Sequence, residues 1–280
     1  PQEIFGVYGS DEEGLDILRS VTEDDLEKVE AIHDGLTKEL PKSLQDALVY
    51  FISASASLRV LGFHKPLTML VHTSNKMDHH DFMYDAILNW LTTNRMNILS
   101  ICERLWENER YRFDLDTLKK STGNDRDVFK DSYPLSPFDQ ISLEIDIILS
   151  EISNIFKDDL GNNIYHHGLH LCIDNSKYKD RDSEVHMRLN YPRSNQSFEK
   201  SPLFIVVGGT TLSRGLTLEG LITSYFLRLS TQVDTLMQMG RWFGFRKQYE
   251  AYPRIWLTEN TKEKFKYISL IDKDLREQIR

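Results

Sequence analysis

Two segments near the end of the chain combine residue types that handle phosphate. The first, GGTTLSRGLT (208–217), follows the apolar run LFIVV (203–207). In α/β sheets ligand loops leave the carboxyl ends of strands, which is the position this segment holds. Gly208 and Gly209 free the backbone for unusual dihedrals or close approach. Thr211 and Ser213 offer hydroxyls, and Arg214, before Gly215, offers a planar cation suited to phosphate or carboxylate. The same pattern also serves as a tight turn with Arg214 in a structural ion pair. The second segment, DTLMQMGRWFGFR (234–246), reads as a helix. At ~100° per residue, Gln238 and Arg241 return to within about 40° of Asp234, while Leu236, Met239 and Phe243 gather on the opposite face. A guanidinium held this way can stabilise charge developing on a transferred phosphoryl group, and Gly240 beside it permits close approach. The plain alternative is an amphipathic helix with a solvated polar stripe.

Other groups invite a metal reading. Asp78-His79-His80-Asp81 is the densest set of ligand types, but helical neighbours one residue apart diverge. His166, His167 and His170 can place two imidazoles together, with Asp158 and Asp159 close in sequence. Asp174, followed by Glu184, has spacing reminiscent of metal-dependent nucleases. Asp78, His79, Asp174 and Glu184 are thus weak metal candidates, and no bound metal is expected. The stretch 177–195 carries five bases interleaved with Tyr178 and Tyr191, yet its acids make it a solvated loop before a nucleic-acid contact.

The elements that position these residues read as α/β. Thr22, with Asp25 three residues on, approximates a capping box, and helices are expected near 11–19 and 22–39. A long apolar helix follows over 44–62. Its Ala54, Ser55, Ala56 and Ser57 suit close packing. Strands are expected at 67–73, 169–174, 203–207, 221–226 and 254–257, and helices near 77–92, near 232–243 and from about 259. The spacing predicts an acidic helical extension over 1–40 and a main domain over 41–280, with a helical insertion at about 93–157.

Composition agrees with a globular chain. Of 280 residues, 40% are hydrophobic and 11% aromatic. No run approaches the ~18 apolar residues of a membrane span, and Cys102 and Cys172 form no disulfide framework, so a cytoplasmic location is expected. Net charge is −9, and residues 1–40 hold twelve acids against three bases, which accounts for all of it. That balance lacks the basic footprint of a freestanding DNA-binding domain. Pro1 in place of a methionine suggests a fragment. Nothing fits G-x-x-x-x-G-K-[ST], the loop that cradles nucleotide phosphates.

The two late segments together resemble motifs V and VI of superfamily 2 helicases, in their C-terminal RecA-like lobe. The match is closer to the Z1 domain family, described as an endonuclease domain linked to bacterial restriction-type systems. LSRGLTLEGL (212–221) and DTLMQMGRWFGFR (234–246) look like its signature blocks; SLQDALVYF (43–51), LTMLVHTS (67–74) and the strand ending at Asp174 look like others. The resemblance covers roughly 40–260 and implies a RecA-like parallel sheet flanked by helices. It implies an ATP-dependent, DNA-acting helicase or translocase in a restriction or defence setting. ATP and Mg²⁺ would then be held by a P-loop lobe outside this chain. Arg241, Arg246 and Gln238 would carry catalysis. Gly209, Thr211, Ser213, Arg214, Gly215, Asp234 and Gly240 would couple nucleotide to nucleic acid. The chain departs from the helicase pattern in two places: Gln238 stands two residues before Gly240, and Arg246 five after Arg241. A metal-dependent endonuclease and a non-catalytic scaffold lobe are the alternatives, and this chain alone is not expected to hydrolyse ATP.

Overall fold

A computed structural model describes residues 17–113, 132–174, 189–193, 198–208, 218–227, 248–265 and 267. Four apolar runs each fill one strand, buried along its whole length: β2 (Leu67–His72), β6 (Leu169–Asp174), β7 (Leu203–Gly208) and β8 (Leu221–Phe226). Near-continuous apolar character is what parallel strands covered on both faces require. With β1 (Leu18–Val21), β3 (Ile152–Ser153) and β9 (Arg254–Thr258) they form one parallel sheet, ordered β1-β9-β8-β2-β7-β6-β3. The expected α/β class, a parallel sheet flanked by helices, is what the structure has, and it is consistent with a RecA-like lobe. A small antiparallel pair, β4 (Phe156–Lys157) and β5 (Asn163–Ile164), stands apart from the sheet.

The long apolar stretch becomes α2 (Lys42–Val60), buried from Leu58 back to Ala47 without interruption. A helix apolar on all sides belongs between layers. It packs against β8 on one side and against α4 (Arg95–Arg112) and α5 (Phe138–Ser150) on the other. The small residues at 53–57 permit that approach. Ser57 Oγ hydrogen-bonds Tyr252 Oη at 2.8 Å and accepts from Ser136 N at 2.9 Å. The helices of 93–157 also share the central core, through Ile98, Cys102, Trp106, Ile141, Ile145 and Ile148. On the other face, α3 (Met77–Thr93) covers β6 and β7.

Several elements differ from their sequence expectation: the helix expected over 22–39 ends at His33, and the stretch 93–157, expected to be helical, closes on the short strands β3 and β4. Residues 18–21, read as the end of a helix and the turn after it, form β1 and pair with β9 from Leu18↔Ile255 to Val21↔Thr258. Ile17 and Val21 are buried there, and strand pairing satisfies a backbone that a short helix would leave to its own propensity. Charge secures this flank. Glu109 on α4 accepts from Arg254 Nε at 2.9 Å and from Arg19 Nη2 at 2.6 Å, tying β9 and β1 to the helical layer. Thr22 then caps α1 (Glu23–His33), its Oγ1 accepting from Asp25 N at 3.2 Å. Among the described residues no helix is long and apolar enough to cross a membrane.

Candidate functional site

Because every strand of the main sheet is parallel, its carboxyl ends share one edge. Register aligns them closely: His72 lies opposite Phe226, Val71 opposite Val207, and Asp174 opposite Gly208. β2 is central, and the chain turns directly from its end into α3 through Thr73-Ser74-Asn75-Lys76. Strand, short turn and helix N-terminus at the centre of a parallel sheet is the place where α/β proteins bind anions.

The turn is organised by imidazoles. His33, at the end of α1, hydrogen-bonds Thr73 Oγ1 through Nε2 at 2.9 Å. Its ring stacks on His79 with centroids 4.3 Å apart. His80 donates from Nε2 to Ser74 O at 2.8 Å. Burial is the main reason the His33 pKa falls to about 4, helped by His79 and His80; burial and then Lys76 also lower that of His79. His33 is therefore neutral at pH 7, and the two rings stack without charge repulsion. Two buried ring nitrogens, His79 Nδ1 and His80 Nδ1, have no hydrogen-bond partner among the described residues. Lys76 precedes α3 with no side-chain cap on the helix and makes no ion pair with a described residue. The helix N-terminus, the Lys76 ammonium and His79 Nδ1, which can carry its ring's proton, form a donor set that fits an anion; His80 Nδ1, on a ring that donates from Nε2, is an acceptor and takes no part.

At the end of β7 the backbone itself is specialised. Gly208 has φ +133°, and a Cβ there would lie 2.4 Å from Asp174 O. Only glycine fits, which is the freedom the sequence reading assigned to it. β8 ends beside the same turn, Leu227 N donating to His72 O at 2.9 Å. Gly209, Thr211, Ser213, Arg214 and Gly215 come immediately after Gly208, and Asp234, Gln238, Gly240, Arg241 and Arg246 come soon after Leu227. All of these lie outside the described residues, as do the expected helix near 232–243 and Glu184.

The remaining candidates separate. Asp174 is buried at the carboxyl end of β6, whereas His170 is the second residue of that strand, about 13 Å away at ~3.3 Å per residue. His166 and His170 do come together, stacked at 3.9 Å, and their bonds are internal. His166 takes Gly168 N on Nδ1 and reaches Ser153 Oγ through Nε2; His170 takes His166 N on Nε2 and donates from Nδ1 to Leu203 O. Asp158 caps the β4–β5 turn, accepting from Leu160 N at 3.0 Å and Asn162 N at 2.7 Å. Asp78 is exposed in the first turn of α3. Tyr191 hydrogen-bonds Thr68 Oγ1 at 2.8 Å, a packing role and not a base-stacking one. Among the described residues no three His, Cys, Asp or Glu side chains are placed to hold a metal ion. The sequence singled out His79 and His80 as possible ligands but left His33 and Thr73 unmarked. Their signal, isolated polar residues at the ends of apolar runs, is one that ordinary turns share.

A family model, the Z1 domain, matches residues 43–280. The chain belongs to the Z1 domain family. No curated protein and no solved structure matches it. The span matched by the Z1 domain takes in α2, the central strands, the imidazole turn and both phosphate-suited segments. β1 and α1 precede it.

Proposed function

We propose that this Z1 domain is the C-terminal lobe of an ATP-dependent, DNA-acting motor of the superfamily 2 type, working in a restriction or defence setting. The observation that carries the reading is the common carboxyl edge: β7 and β8, on either side of β2, end at Gly208 and Phe226, and the two phosphate-suited segments follow them in sequence. In this reading a partner P-loop lobe holds ATP and Mg²⁺, since this chain has no P-loop sequence. Arg241 reaches the nucleotide across the cleft, with Gln238 and Arg246 in support. Arg214 and its neighbours relay nucleotide state to DNA lying along the edge. The turn of Lys76 and His79 adds a contact for a phosphate.

The test is ATP turnover by the protein carrying this domain together with its P-loop lobe, with and without DNA. DNA-stimulated turnover is expected, and Arg241→Ala is expected to lower it by about 10³-fold, the usual weight of an arginine finger. Turnover indifferent to Arg241 overturns the reading. So does absence of turnover with DNA cleavage on adding Mg²⁺ or Mn²⁺, which would make the domain a nuclease.

A further inference from the structure

A helix joining two parallel strands ordinarily runs back along a sheet face to the amino edge. α1 does otherwise. It starts at Thr22, just past the carboxyl end of β1, and its far end, His33, rests on Thr73 at the carboxyl end of β2. Both ends of α1 therefore lie on the same edge. In the sheet, β9 and β8 separate β1 from β2. Three strand spacings of about 4.8 Å make ~14 Å, and an eleven-residue helix is ~16 Å long. The lengths match, so α1 lies across the carboxyl ends of β9 and β8. The return to the amino edge is left to α2, which starts beside α1, Lys42 N donating to Asp25 Oδ1 at 3.0 Å.

The helix is pinned and sided. Val29 and Ile32 are buried, Leu26 packs partly on the core, and His33 is held by Thr73 and His79. The outward side carries Glu23, Asp24, Glu27, Glu30 and Asp34, all exposed, with Lys28 the one base. An acidic surface thus stands over one half of the edge. The anion-suited turn at Lys76 and His79 occupies the other half, well within a Debye length of it.

We propose that α1 is an acidic strap that holds polyanions off the β9–β8 half of the carboxyl edge and confines them to the α3 side. The proposal rests on the anion-binding reading of that edge. The strap selects where a phosphate chain can lie, by repulsion alone and without taking part in chemistry. A basic partner surface seated on α1 would neutralise it and open the whole edge.

The experiment measures binding of inorganic polyphosphate and of a single-stranded DNA oligonucleotide to the full chain at low and high salt. One variant is Glu23→Gln/Glu27→Gln/Glu30→Gln. The control, Glu103→Gln/Asp146→Asn/Glu199→Gln, removes the same charge from exposed positions elsewhere. The strap variant is expected to bind polyphosphate at least ~5-fold more tightly than wild type or control at low salt, with the gain lost at high salt. Equal gains in both variants reveal a net-charge effect and overturn the proposal, as does failure of every variant to bind polyphosphate. A gain for polyphosphate with no oligonucleotide binding in any variant upholds the strap and counts against DNA as the ligand of this edge.

Discussion

Gly208 shows how much a single residue can fix. It ends a fully buried strand, holds φ +133°, and leaves no room for a Cβ beside Asp174 O. Gly208→Ala is expected to destabilise the fold by about 2–4 kcal/mol, through backbone strain and displacement of β6 together. Urea denaturation measures this, and a loss under about half a kcal/mol would mean that β6 and β7 can part without cost. The two strands register from Leu169↔Leu203 to Asp174↔Gly208, so displacement at this end is felt along the pair. His33 illustrates the opposite case. Its type is visible in the sequence, but its role depends on Thr73 and His79, forty and forty-six positions away.

At the scale of elements, caps link neighbours as well as ending helices. The Thr22–Asp25 pair forms half of a capping box: Thr22 Oγ1 takes Asp25 N, while the Asp25 carboxylate turns to Lys42 N instead of back to Thr22. Asp25 thereby supplies the side-chain cap that Pro41 cannot give α2 and ties α1 to it. Asp25→Ala is expected to cost about 1 kcal/mol, and Asp25→Asn much less, because the amide oxygen can still accept. Thermal unfolding of the two variants distinguishes a cap from mere charge: equal losses would mean that charge alone matters. Helix α2 shows why the strands and this helix were legible from sequence. Continuous burial forces continuous apolar character, and that survives as a pattern without any knowledge of neighbours.

Across the whole molecule, three buried imidazoles set an acid limit. His33 and His166 are held to a pKa of about 4 and His170 to about 3, each mainly by burial. Around His166 and His170 stand Arg59, His167 and Glu151, and only the last, with its Oε2 3.7 Å from His166 Nδ1, favours a proton. The hydrogen bonds of His170 leave Nε2 accepting from a backbone N–H, so protonation breaks a bond as well as burying a charge. The unfolded chain, with ordinary histidines near 6.5, binds more protons than the fold below that value. Stability is therefore full above about pH 6.5 and falls as pH drops toward the folded values. Between about pH 5 and 6.5 carboxylates stay mostly ionised, so the histidines carry the slope. Urea midpoints that stay level or rise on acidification across that window would contradict the burial of these rings.

The sequence by itself determined the class of the fold, the run of each central strand, the long buried helix and the need for glycine at 208. Each is written in local terms, as an apolar run or a backbone freedom. Tertiary structure alone decided that Leu18–Val21 would be a strand, because its pairing partner lies at 254–258 and no local pattern records that. It also decided that His166 and His170 belong to packing at one edge and His33, His79 and His80 to a turn at the other. Histidines read alike in sequence; which end of a parallel strand they meet is a property of the sheet.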